Sequence, residues 1–142
     1  MAEVSAEARI GAPAEKVWAR LTDWSAYGEW NATHTSFPAG GPEPLEVGAA
    51  FQENMRLMNF PAEVAWTVEE VEPARVLAIR GKGPMAVTVA TRYTLTPDGD
   101  ATTVRIDGAF TGATVSLMAA KLKDSATAAL NESLRRLDAL VA

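Results

Sequence analysis

The chain has no cysteine, which excludes disulfides, thiolate nucleophiles, iron–sulfur clusters and most structural zinc sites. It has a single histidine, His34, so a zinc site would depend on carboxylates, and we expect neither a metal nor a cofactor. No uncharged apolar run approaches the roughly 18–20 residues of a membrane span, and the acidic N-terminus does not read as a signal peptide. We therefore predict a cytoplasmic protein without membrane insertion.

Basic residues are also few and scattered. The 13 lysines and arginines stand against 18 acidic residues, and the net charge is −5. Because sequence-independent binding of nucleic acid needs a basic face, we expect no nucleic-acid partner. The 142 residues suffice for a packed core, and we expect one domain over residues 1–142 that is a monomer or a weak homodimer.

The pattern of apolar residues predicts strands in the middle of the chain and helices near both ends. Residues 3–10 alternate as a half-buried strand, and two short helices follow, the first with Pro13 at its start and the second over about 24–30. From Ala49 the period is two, and the turns, the first of them at Asn59–Pro61, predict about six antiparallel strands. The segment from about Thr114 to Val141 carries an apolar stripe of helical period, which predicts one long helix.

The long helix needs a burial partner, and the concave face of the sheet is the only large one that the pattern offers. This predicts an α+β fold. Small residues interrupt both surfaces, with Ala129 and Ser133 on the helix and Thr91 and Gly108 near the middles of strands. They either bring helix and sheet into close contact or leave room for a ligand.

Glu53 is the unusual residue of the predicted inner face, since Phe51, Met55 and Leu57 share its parity. Burying a carboxylate in a dry core costs about 3 kcal/mol or more of folding free energy unless the group is paired or hydrated. Glu53 therefore faces a hydrated cavity, pairs internally or acts as a general acid or base. A β-bulge that turns it to solvent is the alternative.

Aromatic residues and the lone histidine are concentrated in WSAYGEWNATH, residues 24–34. Trp24, Tyr27, Trp30 and His34 have helical spacing, and their rings either stack on a planar ligand or pack the short helix against the sheet. We expect Trp30 and Tyr27 at the rim or lid of a cavity. His34 is either an acid–base group or a surface residue, and Tyr93 either orients a ligand carbonyl or is a core tyrosine.

The order of these elements resembles that of the START-like, or SRPBCC, superfamily with its helix-grip fold. The resemblance lies in IGAPAEKVW, LTDWSAYGEW, VAWTVEEVEPARVLAIRG, TRYTLTPDGDATTVRIDGAF and the long final helix, and it spans nearly the whole chain. Within the superfamily the chain is most similar to the polyketide cyclase/dehydrase-like group.

The resemblance implies a deep cavity between sheet and C-terminal helix for an apolar or aromatic small molecule. With the predicted parities, its candidate lining is Trp30, Tyr27, Phe51, Met55, Trp66, Val89, Thr91, Gly108, Phe110, Met118, Leu122 and Ala126. The first expectation is a carrier or sequestering protein for a polyketide- or lipid-like ligand. The alternative is an aromatase/cyclase or dehydratase with Glu53, Tyr93 and His34 as catalytic candidates, and a toxin-like interaction protein is a third.

Cyclases of the superfamily use cavity arginines, which bears on the choice between carrier and enzyme. The predicted parities turn Arg56, Arg92 and Arg105 outward and leave Arg80 ambiguous. The lack of an inward arginine counts against cyclase chemistry.

Overall fold

The computed structural model describes residues 2–141, in which one antiparallel sheet is wrapped against a long C-terminal helix. The seven strands are β1 (Ala2–Ile10), β2 (His34–Ser36), β3 (Ala50–Leu57), β4 (Phe60–Glu72), β5 (Val76–Lys82), β6 (Thr88–Asp98) and β7 (Ala101–Thr111). The α-helices are α1 (Ala14–Leu21), α2 (Ala113–Leu117) and α3 (Ala119–Val141), and 3₁₀ helices span Trp24–Glu29 and Pro84–Ala86.

The strand order is β1-β7-β6-β5-β4-β3-β2, so β2 to β7 form a meander and β1 returns to pair with β7. Every strand pair is antiparallel. The structure confirms the predicted helix-grip α+β fold, with two short helical segments after the first strand and a long helix at the end.

Alternation along each strand determines which side chains reach the core. In β4, Val64, Trp66 and Val68 are buried while Glu63 and Thr67 are exposed. Successive side chains of a strand point to opposite faces, so one apolar set faces α3 and the polar set faces solvent.

Helix α3 closes the inner face of the sheet with one apolar stripe. Its buried residues include Leu122, Ala126, Leu134, Leu137 and Val141, whose spacing places them on one side of the helix. The helix backbone lies closest to β1, at the edge of the sheet. Among the residues described, no helix combines the length and apolar character that a bilayer crossing requires.

The predicted single helix from Thr114 is wrong at its start. Helix α2 ends at Leu117, and Met118 has φ −132° and ψ 22°, outside the helical region, before α3 begins at Ala119. The break keeps Val115 buried and leaves Leu117 exposed. The apolar stripe continues through this point, so periodicity alone does not reveal the break.

The first hairpin turn lies earlier than the pattern suggests. We expected it at Asn59–Pro61, whereas Leu57 pairs with Phe60 across the two-residue turn Met58–Asn59. Both turn residues have positive φ, 53° and 65°. Two-residue hairpin turns of this type match the right-handed twist of the strands, and Asn59 suits such a conformation better than Met58.

Candidate functional site

A small cavity of about 60 Å³ lies between the inner face of the sheet and α3. Its walls come from the 3₁₀ helix and the residues just after it, from the inner faces of β3 to β7, and from the middle of α3. The side chains with polar atoms in these walls are Tyr27, Trp30, Asn31, Thr33, Glu53, Trp66, Tyr93 and Ser133. A volume of this size holds about one or two water molecules.

Glu53 faces this cavity, as the alternation in β3 predicts. The β3–β4 register runs without a bulge from Ala50 paired with Thr67 to Leu57 paired with Phe60, so the alternative of a slipped register is wrong. Both carboxylate oxygens have partners. The indole Nε1–H of Trp66 donates to Oε1 over 3.0 Å, and Nδ1 of His34 lies 2.6 Å from Oε2.

His34 is a buried partner of Glu53 and not a surface residue, since only 7% of its side chain is exposed. It begins β2, where it pairs with Met55 of β3. Its ring also packs edge-on against Tyr27, with 5.0 Å between centroids, and against Phe37 at 4.4 Å. A carboxylate accepts hydrogen bonds, so Nδ1 carries the proton of the short contact with Glu53.

Tyr27 and Tyr93 form a buried hydroxyl pair with 3.0 Å between their oxygens. Burial raises the pKa of Tyr27 well above its ordinary value, and the nearby Tyr93 and Glu53 raise it further. Burial raises the pKa of Tyr93 as well, although the hydrogen bond with Tyr27 partly lowers it. Both phenols are therefore neutral near pH 7, and one of the two hydroxyl protons has no acceptor within the pair.

Trp30 provides a second free donor. It is 1% exposed and lines the cavity, and among residues 2–141 its Nε1–H is the buried side-chain polar atom that has no hydrogen-bond partner. A buried N–H without an acceptor costs roughly 1–3 kcal/mol.

Three catalytic candidates converge at this place. Glu53 and Tyr93 line the cavity, and His34 of β2 contacts Glu53 without lining the cavity itself. The site therefore combines a buried histidine–carboxylate pair with phenol and indole donors. Such a set can hold a ligand oxygen and can in principle accept a proton from a neighbouring carbon.

The candidate lining residues divide into two groups. Those that reach the cavity are Tyr27, Trp30, Met55 and Trp66, together with Glu53 and Tyr93. Those that do not reach it are Phe51, Val89, Thr91, Gly108, Phe110, Met118, Leu122 and Ala126. Phe51 stacks on Trp66 with 6.4 Å between centroids, and Met118 is 43% exposed at the start of α3.

The candidate lining predicted from the sequence did not include Asn31, Thr33, Ile79, Ile106 or Leu130, and Ala129 and Ser133 were predicted only as small residues that could leave room for a ligand. Ala129, Leu130 and Ser133 belong to the predicted inner stripe of the helix, so a signal was present for them. Ser133 also accepts a hydrogen bond from the backbone N–H of Ala32 over 2.9 Å, which ties the segment after the 3₁₀ helix to α3.

Trp30 and Tyr27 do not form an exposed rim of the cavity, which was one of the two positions expected for them. Both are buried, 1% and 5% exposed, and their rings meet edge-on with 5.0 Å between centroids. They fill space between sheet and helix, which accounts for the small volume of the cavity.

A larger depression of about 470 Å³ lies on the outer face of the sheet. Its floor has small side chains, Ala78, Ala90 and Ala109, whose parity is opposite to that of the buried residues. The arginines beside it are already engaged. Arg92 donates to Glu70 over 2.9 Å, and Arg105 donates to Asp107 over 3.0 Å.

The prediction that no arginine faces the cavity agrees with the lining. Arg56, Arg80 and Arg105 are exposed, and the side chain of Arg92 reaches Glu70 at an exposed contact. Arg80, ambiguous from the sequence, donates to Glu69 over 3.1 Å on the outer face. Within residues 2–141, no group of three or more histidine or acidic side chains is placed to hold a metal ion.

Comparison with known proteins agrees with this geometry. Over residues 1–142 the chain matches the family described as polyketide cyclase / dehydrase and lipid transport. The chain belongs to this family. In this member of the family, the cavity between sheet and α3 is the candidate ligand site.

Individual relatives are distant. The uncharacterized protein Rv1546 of Mycobacterium tuberculosis is 25% identical over 97 residues, which are 68% of this chain and 68% of that protein. DynU16, from the dynemicin biosynthetic locus, has a TM-score of 0.72 at 22% identity. The match covers 98% of this chain and 46% of DynU16, so the chain spans about half the length of that protein.

A START superfamily protein from Mycobacterium smegmatis matches over 98% of this chain and 96% of its own length, with a TM-score of 0.75 at 17% identity. At this identity the likeness shows a shared START-like fold alone.

Proposed function

We propose that this protein binds a largely apolar small molecule, polyketide- or lipid-like, between the sheet and α3, and acts as a carrier or sequestering protein. The observation that carries the proposal is a cavity lined by Trp30, whose Nε1–H is buried without a hydrogen-bond partner, and by the Tyr27–Tyr93 hydroxyl pair. Apolar walls with a few convergent polar groups are typical of small-molecule sites.

The donors favour a ligand that carries an oxygen acceptor. Glu53 already receives hydrogen bonds on both oxygens, so the free polar capacity of the cavity is donating. A ketone or quinone oxygen has two lone pairs and can accept from an indole and a phenol together. A plain hydrocarbon would leave both donors unpaired, at a cost of about 1–3 kcal/mol for each.

Ligand entry requires side chains to move, because the cavity has a volume of about 60 Å³. Ordinary ligand sites have volumes of roughly 300–1,000 Å³. Met55 and Leu130 line the cavity and are only partly buried. Flexible side chains of this kind repack at modest cost. We further expect the protein to work in the cytoplasm as a monomer or weak dimer.

Native mass spectrometry of the purified protein is the first test. We expect an adduct of a few hundred daltons, on the order of a polyketide or fatty acid, that organic extraction removes. Failure to retain any compound, together with failure to bind a panel of fatty acids, fatty ketones and polycyclic aromatics, would overturn the proposal.

A matched ligand pair tests the role of the donors. Anthraquinone and anthracene share a ring system, but only anthraquinone has acceptor oxygens. We expect the wild type to prefer anthraquinone by about tenfold or more, and Trp30→Phe to lose most of that preference. Equal binding of both compounds by the wild type would contradict the donor argument and leave apolar binding in place.

A cyclase or dehydratase is the second candidate, and the convergence of His34, Glu53 and Tyr93 favours it. A phenol could donate to a ligand carbonyl while the histidine–carboxylate pair accepts a proton from the adjacent carbon. Deuterium exchange at the central carbon of a 1,3-diketone, followed by NMR, tests this step. We expect Glu53→Gln to slow any catalysed exchange by about 100-fold. A wild-type rate equal to that of buffer removes this candidate.

A further inference from the structure

We propose that one end of the helix grip, formed by the β3–β4 turn, the β5–β6 connection and the α2–α3 junction, docks on the surface of an anionic lipid bilayer. We call this end the tip. The proposal concerns peripheral contact by side chains and is independent of the ligand proposed above.

The strand register brings the three segments of the tip to the same end of the sheet. Thr88 at the start of β6 pairs with Thr111 at the end of β7, and Lys82 at the end of β5 pairs with Thr88. Lys82 also pairs with Ala65, in the first half of β4. A Cβ added to Gly112 would lie 3.1 Å from the carbonyl oxygen of Ala86, so the β5–β6 connection touches the chain entering α2.

The tip exposes large apolar side chains that no other part of the described chain covers. Phe60 is 68% exposed, Met85 74%, Leu117 87% and Met118 43%. Among residues 2–141 the other large hydrophobic residue this exposed is Val47, on the loop between β2 and β3. Scattered single apolar residues are ordinary on a surface, but four at one end form a candidate interaction site.

Four cations lie at the same end of the fold as these apolar side chains. Arg56, Lys82, Lys121 and Lys123 are all exposed, and none forms an ion pair within the part of the chain that the structure describes. By contrast, six arginines elsewhere are paired with carboxylates: Arg9, Arg80, Arg92, Arg105, Arg135 and Arg136. Carboxylates at the tip are Glu3, Glu63 and Asp124. The tip thus carries more positive than negative side chains in a chain of net charge −5.

Exposed apolar side chains together with unpaired cations match the interface of an anionic bilayer, where the apolar groups enter the headgroup–acyl boundary and the cations meet lipid phosphates. A second copy of the chain is a poorer occupant. A two-fold contact through the tip would bring two surfaces with the same excess of positive side chains against each other. Charge complementarity therefore favours an anionic lipid surface over a second copy of the chain as the partner of the tip.

Cosedimentation of the full chain with vesicles tests the proposal. We expect binding to mixed phosphatidylcholine–phosphatidylglycerol vesicles, weakened by salt, and little binding to phosphatidylcholine alone. The double variant Met85→Ser with Leu117→Ser should lower the partition coefficient by about tenfold or more, because its side chains no longer enter the lipid. Lys121→Glu with Lys123→Glu should lower it by about 20-fold or more.

Matched variants lie outside the tip. Val47→Ser removes an equally exposed apolar side chain, and Lys16→Glu with Arg75→Glu reverses two other unpaired cations. Both should bind vesicles within about twofold of the wild type, and all variants should keep the wild-type melting temperature. No binding to anionic vesicles, or equal loss in the matched variants, overturns the proposal. So does concentration-dependent dimerisation that the tip variants abolish, which would assign the tip to a second copy.

Discussion

Glu53 joins three strands through its two oxygens, since its partners His34 and Trp66 lie in β2 and β4. The carboxylate is 4% exposed at its side chain, so it exchanges water for two protein donors. Such a buried polar cluster constrains which side chains can line the cavity, because moving one partner leaves the others unpaired.

Replacing Glu53 by leucine should therefore destabilise the fold. The variant leaves Trp66 Nε1–H and His34 Nδ1 buried without their acceptor, and we expect the free energy of unfolding to fall by about 3 kcal/mol. Urea denaturation measures the loss. Glu63→Leu, at an exposed position of the neighbouring strand, is the control and should change stability by less than about 0.5 kcal/mol. A similar effect of both variants would contradict the role of the buried cluster.

The two tyrosines give a direct optical prediction, because the chain has no others. Their pKa values are raised in the folded state, so each contributes stability that is present below the unfolded pKa near 10 and is lost as pH rises toward the folded pKa. Tyrosinate absorption should stay near zero in the folded protein at pH 10.5 (about half a unit above the unfolded pKa) and appear together with unfolding at higher pH.

Above about pH 10, stability should fall by up to roughly 2.7 kcal/mol per pH unit from these two groups. Tyr27→Phe removes one of them and should reduce the slope by about half. Early phenolate absorption without loss of the fold would contradict the burial of the pair.

The sequence pattern predicts the correct face for Glu53 and Tyr93, but it does not predict the contact between Glu53 and His34. Alternation in β3 and β6 predicts that Glu53 and Tyr93 face inward, because a strand has a period of two. The contact of His34 with Glu53 depends on a short strand, β2, whose register shifts between His34 and Ser36. Three residues of strand are too few for a periodic signal, so this contact could not be predicted.

Among the secondary-structure elements, β5 has a glycine, Gly81, directly beside side chains of β4. A Cβ added to Gly81 would lie 2.5 Å from Cγ1 of Val64 and 2.7 Å from Cε3 of Trp66. The glycine lets the indole lie against the strand while its Nε1–H reaches Glu53. A glycine inside a strand often marks such a close approach.

Gly81→Ala should consequently cost about 1–3 kcal/mol of unfolding free energy and shift the tryptophan emission, because the added methyl group displaces Trp66. Thermal unfolding followed by fluorescence measures both effects. Gly11→Ala is the control, since a Cβ there meets nothing within 4 Å, and it should be neutral or slightly stabilising. Unchanged emission in Gly81→Ala would show that the indole is not held as described.

For the helices, periodicity predicts the buried face but not the place where the helix breaks. The apolar stripe of α3 identified its buried face, including Leu122, Ala126 and Leu137. It did not identify the break at Met118, because neither glycine nor proline marks the position and apolar residues lie on both sides. The break depends on Val115 packing inward after Gly112, which is a tertiary contact.

For the molecule as a whole, the order of strands and helices could be predicted, whereas the size of the cavity could not. The fold requires only that apolar faces meet, and alternation determines those faces. Cavity volume depends on how far Tyr27 and Trp30 reach between sheet and helix, which follows from side-chain packing. A small change in one lining side chain should therefore alter the space for a ligand without altering the fold.

Ala129 of α3 lines the cavity, and Ala128 beside it is exposed, so the two positions form a matched pair. Valine at either position carries the same helix-propensity cost, about 0.5 kcal/mol. At position 129 its two added methyl groups enter the cavity, so Ala129→Val should be more stable than Ala128→Val by about 1 kcal/mol. It should also bind anthraquinone at least tenfold more weakly than the wild type, measured by quenching of tryptophan fluorescence. Unimpaired binding by Ala129→Val would place the ligand outside this cavity.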